Sequence, residues 1–127
     1  MRKKSVTIAV VLLLLAGICT AEQIMVVRIT QDAIRETHEV VALIQTGDLE
    51  EAEKKAHALD RTWDDSAKKL EVLVDHRSTD DVRYALSKLL AALEGRDRVS
   101  ALIYAGELEG GIEHVCERQT VTLENMF

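Results

Sequence analysis

Histidines are the residues of this chain best suited to chemistry, because imidazole binds metal ions and exchanges protons near neutral pH. There are four: His38, His57, His76 and His114. A metal site needs further ligands three or four residues away, or on a facing helix. Glu53–His57 and His114–Glu117 have that spacing, but neither H-E-x-x-H nor E-x-x-H occurs. The sequence therefore predicts no resident metal and no cofactor.

Hydroxyl nucleophiles are the second group that could do chemistry. Ser66, Ser78, Ser87 and Ser100 fall in predicted helices or helix caps, and no G-x-S-x-G turn occurs. No G-x-G-x-x-G motif or Walker loop is present. Because no nucleophile–base pair and no paired-acid pattern can be located, we expect that the protein is not an enzyme.

The elements that position these residues begin with a membrane segment. Arg2, Lys3 and Lys4 precede an uncharged run over residues 5–21, a basic flank followed by an apolar stretch. At ~1.5 Å per residue the run spans about 26 Å, slightly less than a hydrocarbon core of ~30 Å. The run resumes with Ile24 after Glu22 and Gln23. This pattern predicts a domain division into a membrane anchor or signal segment (1–21) and an extracytoplasmic helical bundle (22–127).

Three interpretations of this segment compete. An uncleaved anchor keeps the basic end in the cytoplasm and places everything after Glu22 outside. A cleaved signal peptide would use Cys19-Thr20-Ala21 and release a secreted product. A lipoprotein would need a small residue before Cys19, where Ile18 stands. We favour the anchor and expect a single-pass protein of the cell membrane, with a cytoplasmic N-terminus and the C-terminal domain outside.

Composition predicts an all-α domain of acidic charge. The chain has no proline and only 3% aromatic residues, and strong helix formers are abundant. Residues 22–127 carry 13 basic and 22 acidic side chains, a formal charge of −9. Such a domain is a poor binder of nucleic acid, and we expect none as a partner.

Hydrophobic periodicity predicts four helices. The first continues from the anchor to Gln45, with Val27, Ile34 and Val41 on its apolar face and Gln31 and His38 between them. The second runs from Leu49 to about Asp75, the third from Asp80 to about Leu93, and the fourth from Arg98 to about Gln119, before a tail. The predicted core positions of the last three are Leu59, Trp63, Leu70, Leu73 and Val74, then Val82, Leu86, Leu89, Leu90 and Leu93, then Ala101, Ala105, Leu108, Ile112 and Val115.

Short connections join these helices, so neighbours should be antiparallel. Gly47 suits a C-terminal cap, and Asp48 and Asp97 suit N-caps. We therefore predict an antiparallel four-helix bundle, up-down-up-down, standing on the N-terminal transmembrane or signal helix. The Asp75-His76 corner and the C-terminal tail would face the membrane, and Gly47 would lie at the distal tip. His76 is interpreted as a residue at the C-terminus of the second helix.

Several short motifs resemble one family of bacterial proteins. They are the N-terminal membrane segment, Trp63, Leu73-Val74-Asp75-His76, Ile112-Glu113-His114 and the ending Thr122-Leu123-Glu124-Asn125-Met126-Phe127. The chain resembles, over essentially its whole length, the family known as domain of unknown function 4363. The resemblance implies a small, membrane-anchored helical protein, and it carries no catalytic residues.

The resemblance draws attention to four polar residues that the expected topology places at one end of the bundle. We hypothesise that Asp75, His76, His114 and Asn125 form a structural polar cluster that docks the C-terminal tail. The expected function is that of a non-enzymatic interaction, accessory or sensor module for a larger membrane protein, and a homo-oligomer is compatible with it. The alternative is a ligand- or metal-binding bundle, secreted or anchored, with Gln31 and His38 on the inner face of the first helix.

Overall fold

Four helices make up the fold. The computed structural model describes residues 2–72 and 74–126, with side chains up to Glu117, and holds no strand in these residues. The helices are α1 (Arg2–Thr46), α2 (Leu49–Leu70), α3 (His76–Glu94) and α4 (Arg98–Met126). Each packs against its neighbours in the chain, and α4 also packs against α1, which closes the ring. The predicted all-α bundle with an apolar N-terminal helix is confirmed.

The N-terminal part of α1 projects from the bundle as an apolar rod. Its large side chains from Val6 to Ile18 are between 48% and 73% exposed, and the first buried residue of α1 is Val26. Among the described residues, α1 is the one helix long and apolar enough to cross a membrane. The helix continues without a break through the predicted division at residues 21 and 22.

The buried face of α1 differs from the predicted one. Val27, Ile34 and Val41 are only half-buried, and the buried stripe lies one position away, at Val26, Thr30, Ala33, Thr37, Val40 and Ile44. The two threonines fit the core because each hydroxyl donates to a carbonyl one turn back, Thr30 to Val26 at 2.9 Å and Thr37 to Ala33 at 2.8 Å. Gln31 and His38 are consequently exposed, so their expected place on the inner face is wrong.

The core of the other helices follows the predicted periodicity closely. All five core positions of α4 are fully buried, and so are Val82, Leu86, Leu89 and Leu93 on α3. Leu59, Trp63, Leu70 and Val74 are buried too, Leu90 is half-buried, and Leu73 lies outside the described residues. Trp63 is 1% exposed, which confirms its interpretation as a core residue.

Three helix boundaries differ clearly from prediction. Helix α2 ends at Leu70, and α3 begins at His76 because the Asp75 carboxylate accepts a hydrogen bond from Arg77 N at 3.1 Å and caps it. His76 therefore lies in the first turn of α3, not at the C-terminus of α2. Helix α4 continues to Met126, past the predicted end near Gln119. These changes bring α3 (19 residues) close in length to α2 (22 residues), whereas α4 (29 residues) stays longer.

The α1–α2 turn and the α3–α4 turn, both at the distal end, close the ends of α1 and α3 with different residues. Gly47 has φ +87°, and Asp48 N donates to Leu43 O at 3.0 Å, which closes the end of α1. After α3 the left-handed position falls on Arg96 (φ +56°), and Asp97 N donates to Ala92 O at 2.9 Å. Arg98 then donates to Gln45 O at 2.6 Å, which joins the two turns.

Candidate functional site

The turn between α2 and α3 carries the predicted polar residues Asp75 and His76. Asp75 is committed to the helix cap, and His76 is exposed, with its Nδ1 atom 3.7 Å from Glu71 Oε2. Glu71 is held more firmly from the other side, because Thr79 Oγ1 and Arg83 Nη2 each lie 3.5 Å from its Oε1 atom. The structure thus places His76 at the edge of an ion-pair cluster centred on Glu71.

Arg83 organises this cluster, and sequence reasoning missed it. Its Nη2 atom also lies 3.3 Å from Asp64 Oδ1, and its Nη1 atom lies 3.3 Å from Asp80 Oδ1. Its Nε atom is buried with no hydrogen-bond partner among the described residues. Asp64 lies on α2, and Glu71, seven residues later, is its C-cap, so both lie on one face; this spacing was the available signal. The cluster ties α2 to α3 and has the character of a structural ion-pair network.

His114 and Asn125 are the other two members of the predicted polar cluster. His114 is exposed on α4. The side chain of Asn125 lies outside the described residues. The topology does bring the start of α3 and the end of α4 to the same end of the bundle. The docking role of Asp75, His76, His114 and Asn125 therefore stays a prediction.

A second cluster joins α2 and α3 near the distal end. His57 Nε2 lies 3.8 Å from Glu53 Oε1 and 3.8 Å from Glu94 Oε1, and Arg96 Nη1 pairs with Glu53 Oε2 at 3.1 Å. One imidazole and two carboxylates are ligands that Zn²⁺ accepts, and a tetrahedral ion holds neighbouring ligand atoms roughly 3.3–3.6 Å apart. The spacing of Glu53 and His57 was visible in the sequence, and the fold brings Glu94 beside them as a third possible ligand.

Among the residues whose side chains are described, the exposed His38 contacts one residue on another helix. Its Nε2 atom lies 2.7 Å from Glu109 Oε1 on α4. On the other side of α1, Glu39 is paired with Lys55 of α2. These two pairs mark the register of α2 and of α4 along α1.

A small cavity lies beside Trp63, between α1 and α2. Its volume is about 100 Å³, and its lining includes Ile29, Ala33, Leu59 and Ser66, with Asp32 and Glu36. The Trp63 Nε1 atom is buried and has no hydrogen-bond partner among the described residues. The cavity has room for about three water molecules.

The outer face of α4 presents apolar and small residues to solvent. Val99 and Ile103 are 69% and 58% exposed, and Gly106, Gly110 and His114 continue the same face. A Cβ atom added at Gly106 or Gly110 would meet nothing within 4 Å. Internal packing therefore gives no reason for these glycines, each of which costs a helix about 1 kcal/mol relative to alanine.

The start of α4 carries the one resolved electrostatic perturbation among the described groups. Ser100 Oγ donates to Asp97 Oδ2 at 2.6 Å, and Ser100 N donates to Asp97 Oδ1 at 3.1 Å. The side-chain bond and then the backbone bond lower the pKa of the Asp97 carboxyl below its ordinary value. This confirms Asp97 as an N-cap.

Comparison with known proteins gives one result. A family model matches residues 21–126, and its description is domain of unknown function (DUF4363). No curated protein and no solved structure matches the chain. The match covers the whole bundle and confirms the resemblance found in the short motifs.

Proposed function

We propose that this chain, which belongs to the family described as a domain of unknown function (DUF4363), is a membrane-anchored interaction module. In this proposal α1 crosses the cell membrane once, with residues 2–4 in the cytoplasm and the bundle outside. The bundle is not an enzyme and serves as an accessory to, or a sensor for, a larger membrane protein.

The exposed apolar rod of α1 is the observation that carries the membrane part of the proposal. The side chains from Val6 to Ile18 form a surface that no other described element covers. Soluble proteins rarely expose contiguous apolar patches beyond a few hundred Å², whereas lipid accommodates such a surface. The basic residues Arg2, Lys3 and Lys4 favour a cytoplasmic N-terminus by the positive-inside rule.

The continuity of α1 supports a role in coupling. The same helix provides the apolar rod and one wall of the bundle, with no flexible linker between them. A displacement of the rod along or around its axis is therefore transmitted to the bundle through backbone hydrogen bonds. Such rigid coupling is useful in a subunit that holds or reports the position of another membrane protein.

The outer face of α4 is the surface we assign to the partner. Glycines four residues apart allow a second helix to approach the backbone closely, and exposed Val99 and Ile103 lie on the same face. Gly106 and Gly110 weaken α4 without any packing benefit inside the bundle, so a partner helix supplies a reason for them.

Photo-cross-linking of the full chain in its host membrane tests this proposal. A benzophenone amino acid at Ile103 should give one stoichiometric adduct with a membrane protein, identified by mass spectrometry after mild detergent extraction. The same amino acid at Ala58, exposed on α2 across the bundle from α4, is the matched control and should give none. Equal labelling at both positions, or an adduct with a second copy only, would contradict a hetero-partner on α4.

The Glu53–His57–Glu94 cluster favours a second candidate function, metal binding by the bundle. Its donor atoms lie within 4.8 Å of one another, on two helices. Addition of Zn²⁺ to the purified full chain should then raise the midpoint of thermal unfolding, and His57→Ala should abolish that rise. His38→Ala is the control, because His38 faces only one carboxylate among the described residues. A midpoint of thermal unfolding that changes neither with Zn²⁺ nor with a chelator would contradict this candidate function.

A further inference from the structure

The turn that follows α2 exposes an apolar side chain at the end of the bundle nearest the apolar rod, here called the lower end. Val72 is 83% exposed, more than any other large hydrophobic residue described in the structure. It lies between the last turn of α2, which carries the exposed Lys68 and Lys69, and the exposed Arg77 on α3. The two carboxylates of the same turn are engaged within the protein, Glu71 by Thr79 and Arg83, and Asp75 as the cap of α3. An exposed apolar side chain with cations beside it is the pattern of a membrane-interface contact.

The register of α2 against α1 sets the height of this side chain. Lys55 of α2 is paired with Glu39 of α1, and the two helices run antiparallel. Val72 lies as many residues after Lys55 as Glu22 lies before Glu39. Because each helical residue adds about 1.5 Å along the axis, Val72 and Glu22 lie at about the same height. Glu22 is the first charged residue after the apolar run.

The register of α4 gives the same level independently. His38 of α1 lies 2.7 Å from Glu109 of α4. Met126, where α4 ends, lies as many residues after Glu109 as Ala21 lies before His38. Met126 therefore lies at about the height of Ala21, where the uncharged run ends. The lower ends of α2 and α4 therefore meet one plane, at the boundary of the apolar rod.

From this shared plane we infer that the α2–α3 turn rests on the outer surface of the bilayer that holds α1. Val72 lies in the interface, and Lys68, Lys69 and Arg77 face anionic headgroups. The inference rests on the proposed membrane anchor and adds a second point of membrane contact. The domain is acidic as a whole, and carboxylates also lie near this turn, but Glu71 and Asp80 are paired with Arg83, and Asp75 caps α3. The cations Lys68, Lys69 and Arg77 are therefore the charges that meet the lipid headgroups. Two contacts fix the tilt of the bundle, which one helix alone would leave free.

Depth measurements on the reconstituted full chain test this inference. Cys19 and Cys116 are replaced by alanine, and a single cysteine is introduced as Val72→Cys or, as the matched control, Val99→Cys. Val99 is also a highly exposed valine, but it lies at the distal end of the bundle. Each protein is labelled with an environment-sensitive fluorophore and reconstituted into phosphatidylcholine vesicles containing phosphatidylglycerol.

The label at position 72 should emit at shorter wavelength, be quenched by nitroxide lipids and be several-fold less sensitive to iodide than the label at position 99. Combined Lys68→Gln, Lys69→Gln and Arg77→Gln substitutions should reduce the nitroxide quenching at position 72. Equal iodide quenching at both positions, with the protein still cofloating with the vesicles, overturns the inference and leaves the anchor standing. Loss of cofloatation overturns both.

Discussion

His38 Nε2 and Glu109 Oε1 lie 2.7 Å apart and join the first helix of the bundle to the last. The two side chains are 58% and 34% exposed, so water screens the pair. The pair marks the register of α1 against α4, in which the end of α4 is level with the end of the apolar rod.

A double-mutant cycle on this pair should give a small coupling energy. His38→Ala and Glu109→Ala should together reveal an interaction of under about 1 kcal/mol, as is usual for exposed ion pairs. Chemical unfolding of the two single variants and the double variant in one detergent provides the measurement. A coupling of several kcal/mol would mean that the pair, and not the apolar core, determines the closure of the ring.

Trp63 should dominate the stability of the contact between α1 and α2. It is the largest of the fully buried side chains described. Trp63→Ala should lower the free energy of unfolding by roughly 3–5 kcal/mol through lost burial and a residual cavity. Trp63→Phe should cost markedly less, because it keeps an aromatic ring in place. Both values come from the same unfolding curves, and a small effect of Trp63→Ala would contradict a packed core at this position.

Two kinds of glycine should respond to alanine with opposite signs. Gly106→Ala and Gly110→Ala should each stabilise the isolated protein by about 0.5–1 kcal/mol, because the helix gains propensity and nothing obstructs the new methyl group. Gly47→Ala should destabilise it by roughly 1 kcal/mol, because φ is +87° there. Thermal unfolding followed by circular dichroism measures all three variants. A destabilising Gly106→Ala would show that this helix face is already occupied within the folded protein.

Asp97 should make part of the stability depend on acid pH. Its pKa is lowered in the folded state by its bonds to Ser100, so the ionised carboxylate favours folding. That contribution is complete above the ordinary carboxyl pKa of about 4 and is lost as the pH falls through the lower folded value. The midpoint difference between the wild type and Asp97→Ala should therefore be large at pH 6 and shrink below pH 4 or so. Ser100→Ala should reproduce part of the effect, and a difference that does not change with pH would contradict it.

Particular residues show which parts of this fold can be predicted from sequence. Leu108 and Ile112 were predicted correctly because they are apolar and recur at helical spacing. Thr30 and Thr37 were missed because their hydroxyls are satisfied by their own helix, so a residue that is polar by type lies in the core. Periodicity cannot show this, since it depends on a local hydrogen bond.

The candidate sites were harder to predict, because they depend on contacts between helices. Ser78 looked like a helix cap, but Asp75 caps α3, and this moved His76 to the other side of a helix boundary. The contact between Glu71 and Arg83 joins α2 to α3, and no spacing within one helix encodes it. Glu94 completes the cluster around His57 for the same reason.

The mass and location of the mature protein test the membrane anchor most directly. Membranes from the host are washed with alkaline carbonate, and the protein in the pellet and the supernatant is measured by intact mass spectrometry. The proposal predicts the full chain of 14.2 kDa, apart from removal of the initiating methionine, in the pellet. A shorter product that begins near Glu22 and appears in the supernatant would show a cleaved signal peptide and contradict the anchor.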